Sequence, residues 1–136
     1  MRLVVDTGVF SAALSRRRRT DLEHHVELLA GNQIFLAAST VAELRYGALV
    51  AEWGSPRRSR LKQAVSATTV IPVSDGLLTT LAAVRFDCRN VGHPLADRVH
   101  ANDLWIAASA IHVGMALVTA DGVFRPSHTI IGWTGF

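Results

Sequence analysis

The sequence predicts an α/β fold with a central, mostly parallel sheet of about five short strands. Three observations predict it. The chain opens on an apolar run, Leu3-Val4-Val5, that ends abruptly at the carboxylate of Asp6. Such a run suits a strand buried on both faces, as the strands of parallel sheets are. Comparable short runs then alternate with longer stretches of helical period, the pattern of β-α crossovers. Finally, 136 residues are enough for one domain with a real core, spanning 1–136, and too few for two.

The elements follow in order. After Asp6, Thr7 and Gly8 suit a tight turn, and a short helix is expected from Val9 to Leu14. Four adjacent arginines, Arg16, Arg17, Arg18 and Arg19, repel one another and stop it in a loop. Thr20 and Glu23 have the spacing of a capping box, ahead of a helix carrying Leu22, Val26 and Leu29 that ends at Gly31-Asn32. His24 and His25 are adjacent on it, point different ways and make a poor metal pair. Gln33 to Ala37 reads as the second strand. Ser39 can cap the next helix, which runs through Val41, Leu44, Ala48 and Leu49 to about Trp53, with Glu43 in its first turn near the positive end of the helix dipole.

Gly54-Ser55-Pro56 breaks the chain before a basic helix with Arg57, Arg58, Arg60 and Lys62. Thr69 to Val73 reads as a third strand, placed at a sheet edge by Pro72. Ser74 caps a helix carrying Leu77, Leu78, Leu81 and Val84. Gly92-His93-Pro94 is a loop. The segment from Asn102 to Ile111 is apolar all round, as a buried helix is, yet carries Asp103 in its first turn. Met115 to Thr119 is a fourth strand, followed at once by Asp121, and Thr129-Ile130-Ile131 a fifth.

Composition bounds the function. No uncharged apolar run reaches the length of about 18 residues that a membrane span needs. The N-terminus lacks a basic-then-apolar leader, so no signal peptide is expected. One cysteine, Cys88, excludes an internal disulfide and suits the reducing cytoplasm. The chain is 49% hydrophobic, with mean hydropathy +0.26, which implies apolar surface covered by a partner. All basic residues but Lys62 are arginines, and the net charge is +3. This composition also arises in a GC-rich genome. A basic shell around an acidic site suits a polyanion such as RNA, with Arg16 to Arg19 and Arg57, Arg58 and Arg60 as candidate phosphate contacts.

Four carboxylates share one context. Asp6 and Asp121 end strands, and Glu43 and Asp103 open helices. In a parallel α/β layer, strand carboxyl ends and the amino ends of the following helices lie on one edge, where ligands bind. Asp103 reaches that edge if its helix runs antiparallel to the strands. Clustered carboxylates do not all stay ionised unaided. A divalent cation that prefers oxygen, Mg²⁺ or Mn²⁺, resolves the repulsion and can activate a water for attack on a phosphodiester. No serine-hydrolase order, phosphate-cradling glycine loop or zinc-type histidine spacing is present.

The runs Val4-Val5-Asp6-Thr7, Ser39 to Gly47, Asn102 to Ala110 and Leu117 to Phe124, in this order over nearly the full length, resemble the PIN-domain family, and within it the VapC-type toxins of bacterial toxin–antitoxin pairs. The resemblance implies a three-layer α/β/α domain and a Mg²⁺-dependent endoribonuclease. Asp6, Glu43, Asp103 and Asp121 would form its acidic quartet, with Asp6 and Asp103 as main metal ligands. It further implies support by Thr119, beside Thr7, and a homodimer with a cognate antitoxin. The RNA could be tRNA, ribosomal RNA or messenger RNA. Gly122 and Val123 stand where the family often has a fifth acid or an Asn.

Two rivals compete. Asp6-Thr7-Gly8, with Ile130-Ile131-Gly132, echoes the aspartic proteases, but their fold is all-β and this sequence reads as rich in helix. The other rival is an α/β module that binds nucleic acid or a partner through a catalytically silent acidic site.

Overall fold

The computed structural model describes residues 1–17 and 19–124. Its four strands are β1 (Arg2–Val5), β2 (Gln33–Leu36), β3 (Thr69–Val70) and β4 (Ala116–Val118). Six α-helices accompany them: α1 (Thr7–Leu14), α2 (Glu23–Glu27), α3 (Ala38–Val50), α4 (Ser55–Ser66), α5 (Asp75–Val91) and α6 (Ala101–Val113). Short 3-10 turns cover Pro94–Ala96, Arg98–His100 and Gly122–Phe124. Arg18 and the strand expected at Thr129–Ile131 lie outside the described residues, as does Gly132.

The sheet is parallel throughout, in the order β3-β2-β1-β4. β1 is therefore central, with Val4 opposite both Phe35 and Leu117. Its side chains alternate between two cores. Val4 joins Leu77, Val84, Cys88, Leu104, Ile106 and Ala107, beneath α5 and α6. Leu3 and Val5 join Val9, Phe10, Leu36 and Val41, beneath α1 and α3. A strand covered on both faces has no use for polar residues, so the run is apolar without alternation. Helices on both faces of one sheet make the α/β/α layering that the resemblance implies. Among the described residues, no helix is long and apolar enough to cross a membrane.

Several boundaries differ from the sequence reading. Helix α1 begins at Thr7, because Asp6 itself is its N-cap and accepts from the Val9 N–H at 2.8 Å. No capping box forms at Thr20. The Arg19 carbonyl takes the Leu22 N–H and the Arg19 guanidinium grips Asp21, so residues 19–22 close into a turn and α2 starts at Glu23 with no side-chain cap. Ser39 does not cap α3. Ala37 holds the cap position, and the Ser39 hydroxyl donates at 3.5 Å to the Asn102 carbonyl, tying the start of α3 to the start of α6. Glu43 consequently lies in the second turn of α3. Pro56 does not break the chain but sits in the first turn of α4, where its missing N–H is harmless. β3 stops at Val70. Ile71 adds one more bond to the Leu36 carbonyl, and Pro72 then offers no donor. On α5 the Ser74 cap is as expected, but Leu78 is not on the buried stripe: Leu77 is 0% exposed and Leu78 47%.

Candidate acidic cleft and arginine cleft

The centre of the sheet places Asp6. It follows β1, its N–H donates to the Val118 carbonyl of β4 at 3.2 Å, and the residue is 6% exposed. β4 leads to Thr119 and Asp121 beside it. Thr119 bridges the two: its hydroxyl donates to Asp6 Oδ2 and accepts from the Asp121 N–H at 3.0 Å. Asp121 Oδ1 in turn accepts from the Val123 N–H at 3.0 Å, which starts the last 3-10 turn.

Helix α3 leaves the carboxyl end of β2 and brings Glu43 to the same edge. The Thr7 hydroxyl donates to Glu43 Oε1 at 3.1 Å and lies 3.2 Å from the fully buried Thr40 hydroxyl. Helix α6 brings Asp103, whose Oδ2 lies 3.1 Å from His100 Nδ1; with that nitrogen protonated, His100 donates. Asp6, Thr7, Glu43, Asp103 and Asp121 thus line one cleft of about 450 Å³, together with Gly8, Val9, Leu22, Ile106 and Ala120. Each of the four carboxylates meets at least one side-chain or backbone nitrogen or hydroxyl that fixes its rotamer, as ligand carboxylates require.

The electrostatics are those of crowded acids. Burial pushes the Asp6 carboxyl above its ordinary range, opposed by its hydrogen bonds from Thr119 and Val9 and reinforced by the charges of Asp121 and Asp103. Burial likewise raises Glu43, opposed by Thr7 and reinforced by Asp103 and Asp6. Among the described residues, no arginine or lysine lines this cleft to offset them. Nor, among the same residues, is any group of three or more His, Cys, Asp or Glu close enough to hold a metal ion between them. The donor set is all oxygen and negatively charged. It fits a hard divalent cation bound directly by one or two carboxylates and otherwise through water, which is the habit of Mg²⁺.

The arginines divide differently from their order in the sequence. Arg16 and Arg17 share a cleft with Arg57 and Arg60, walled by Ser11, Leu14, Leu44, Trp53 and Leu61. Arg58 lines a different groove, with Arg45 and Lys62, that meets the first only at Leu61. Arg19 is engaged by Asp21 at 3.1 Å.

Two interactions in the acidic cleft, the His100–Asp103 contact and the capping of α1 by Asp6, are not among those expected from the sequence. His100 is legible there only as a residue three before Asp103 at a helix start, a spacing that lets two side chains meet. Asp6 as a helix cap is legible from an Asp standing ahead of an apolar helical stretch.

Comparison with known proteins agrees with this geometry. The chain is 33% identical over 123 residues to Ribonuclease VapC5 of Mycobacterium tuberculosis, covering 89% of this chain and 84% of that protein. The structure superposes on VapBC2 from Rickettsia felis, solved bound to a DNA fragment from its promoter, with TM-score 0.74 and 25% identity over 97% of this chain and 95% of that one. FitAcB from Neisseria gonorrhoeae shares the fold, with TM-score 0.68 and 23% identity over 90% of each chain. A family model described as PIN domain matches residues 3–126, and the chain therefore belongs to the PIN-domain family.

Proposed function

We propose that the chain is a VapC-type toxin of a toxin–antitoxin pair, an endoribonuclease that hydrolyses RNA phosphodiester bonds with the help of Mg²⁺ or Mn²⁺. The observation that carries this reading is the convergence of Asp6, Glu43, Asp103 and Asp121, from four separate elements, on one cleft that no arginine or lysine lines among the described residues. Identity to a named ribonuclease over most of both chains supports it.

Asp6 and Asp103 are the main candidates to hold the cation, with Glu43 and Asp121 joining directly or through water. When bound, the cation neutralises charge on the phosphodiester and lowers the pKa of a water in the cleft. The chain's own residues supply the preorganisation. Thr119 and the Val9 N–H hold both oxygens of Asp6, Thr7 holds Glu43, and His100 holds Asp103. The carboxylates are then in place before substrate arrives, and little is lost to reorganisation.

Partners follow from the surface. Tyr46, Leu49 and Val50 form an apolar patch at the end of α3, each more than 60% exposed. A second copy of the chain and a cognate antitoxin would cover such surface in the cytoplasm; the fold shared with VapBC2 supports the antitoxin partner. The substrate class is RNA, with tRNA, ribosomal RNA and messenger RNA the alternatives.

Asp103→Asn tests the reading against the silent binding module. Asn keeps the size and most of the hydrogen bonding but removes one charge. The variant should melt at or above the wild-type temperature without metal, because repulsion is relieved. Cleavage of total RNA with Mg²⁺ should fall by roughly two orders of magnitude or more. A variant that melts like wild type and still cuts RNA normally would remove the nuclease assignment.

A further inference from the structure

We propose that the arginine cleft is a base-stacking subsite for single-stranded RNA, with Trp53 as its platform and Arg57 stacked on it. The proposal rests on the nuclease reading above. Four guanidinium side chains, Arg16, Arg17, Arg57 and Arg60, line a cavity of about 610 Å³ with no acidic residue among the described residues of its wall. Among the described residues none of the four is ion-paired. Their charge is therefore available to an anion.

The wall is not only cationic. The Arg57 guanidinium carbon lies 3.8 Å from the centroid of the Trp53 ring, and Leu14, Leu44 and Leu61 add apolar surface. Cations beside an aromatic ring and an apolar floor match a ligand that alternates phosphates with flat, polarisable rings. The cavity is of the size that holds a small ligand, so an unstacked nucleotide fits and a continuous duplex does not.

The backbone holds Trp53 there at some expense. The Trp53 N–H closes α3 by donating to the Ala48 carbonyl at 3.0 Å, and the Glu52 N–H donates to the Leu49 carbonyl at 3.1 Å. This closure needs a left-handed residue, usually glycine, yet Glu52 occupies it with φ of 54°. A strained residue just before a ring that lines a cleft is the kind of feature functional sites retain.

Position favours RNA over an acidic protein segment. Thr7, Gly8 and Val9 of α1 line the acidic cleft, and Ser11, Ala13 and Leu14 line the arginine cleft. On α3 the neighbours Glu43 and Leu44 are divided in the same way. The eight residues of α1 span about 12 Å, which is no more than about four nucleotides of stacked strand. A strand cut beside Asp6 reaches Trp53 with its flanking nucleotides.

The experiment compares a dinucleotide, too short to reach Trp53, with a single-stranded octaribonucleotide. The wild-type preference in kcat/KM for the octamer should fall by about ten- to a hundred-fold in Trp53→Ala. Trp53→Phe, which keeps an aromatic face, should restore most of it. A preference equal to wild type in Trp53→Ala overturns the proposal. A second arm needs no cleavage: a fluorescein-labelled octamer is titrated into Asp103→Asn with and without Trp53→Ala. Binding weakened ten-fold or more by the tryptophan change, and weaker for the same octamer annealed into a duplex, supports the subsite. Equal binding by both chains, equal binding of duplex and single strand, or displacement of the octamer by an equal concentration of hexaglutamate overturns it. If wild type cuts neither substrate the nuclease reading fails, while the binding arm still decides the subsite.

Discussion

Asp6 performs two tasks that pull its carboxyl in opposite directions. As the N-cap of α1 it accepts hydrogen bonds best when ionised, yet burial and the neighbouring acids disfavour that charge. The net effect raises its pKa above the unfolded value. The folded chain therefore holds the proton more tightly than the unfolded one, and stability falls as pH rises. The contribution is intact below the unfolded pKa of about 4 and is lost as pH climbs through the raised folded value. Asp6→Asn removes this loss and keeps a competent cap. The difference in melting temperature between Asp6→Asn and wild type, measured without divalent metal, should widen as pH goes from about 4 to about 7. Mn²⁺ should raise wild type far more than the variant. A difference that stays flat with pH, and an equal response to Mn²⁺, would show that Asp6 bears neither strain nor cation.

Among the elements, α5 shows how far periodicity carries and where it stops. Leu77, Leu81, Val84 and Cys88 recur at helical spacing and pack on the core, while Leu78, one residue round the helix, faces out. A helix turns by 3.6 residues per turn, so two adjacent leucines cannot both lie at the centre of one buried stripe. Leu77→Ala should cost about 2–5 kcal/mol in urea unfolding, and Leu78→Ala less than about 0.5 kcal/mol. Comparable losses at both positions would mean that another surface covers Leu78 in solution. The helix ends obey a similar division. Ser74 caps α5 as its position suggests, whereas Ser39 is drawn to the Asn102 carbonyl by the packing of α3 on α6.

On the scale of the whole molecule, charge is sorted into an acidic cleft at the sheet edge and an arginine cleft at the far end of α1. If RNA crosses both, neutralising Arg16, Arg17, Arg57 and Arg60 should reduce the slope of log affinity against log salt by about 0.7 for each phosphate that an arginine no longer neutralises. Changing Arg58, which lines the other groove, should reduce it far less; equal effects would mean that only net charge matters. The exposed apolar patch at Tyr46, Leu49 and Val50 is the surface proposed above for assembly. Light scattering at tens of micromolar should report a dimer, and Leu49→Glu should shift it toward monomer. A wild-type monomer would leave that patch to another partner.

Much of this organisation is legible in the chain. The buried run before Asp6, the alternation of strands with helices and the apolar helix interrupted by Asp103 follow from local patterns of side-chain polarity, which burial imposes residue by residue. The four acids could be assigned to one edge because a parallel sheet sends all its strand ends the same way. The rest depends on contacts between residues far apart in sequence. The bridge from Thr119 to Asp6, the hold of Thr7 on Glu43 and the joining of Arg16 and Arg17 with Arg57 and Arg60 leave no periodic trace. A hydrogen bond or a shared cleft needs only proximity, and proximity across dozens of residues is created when the layers pack.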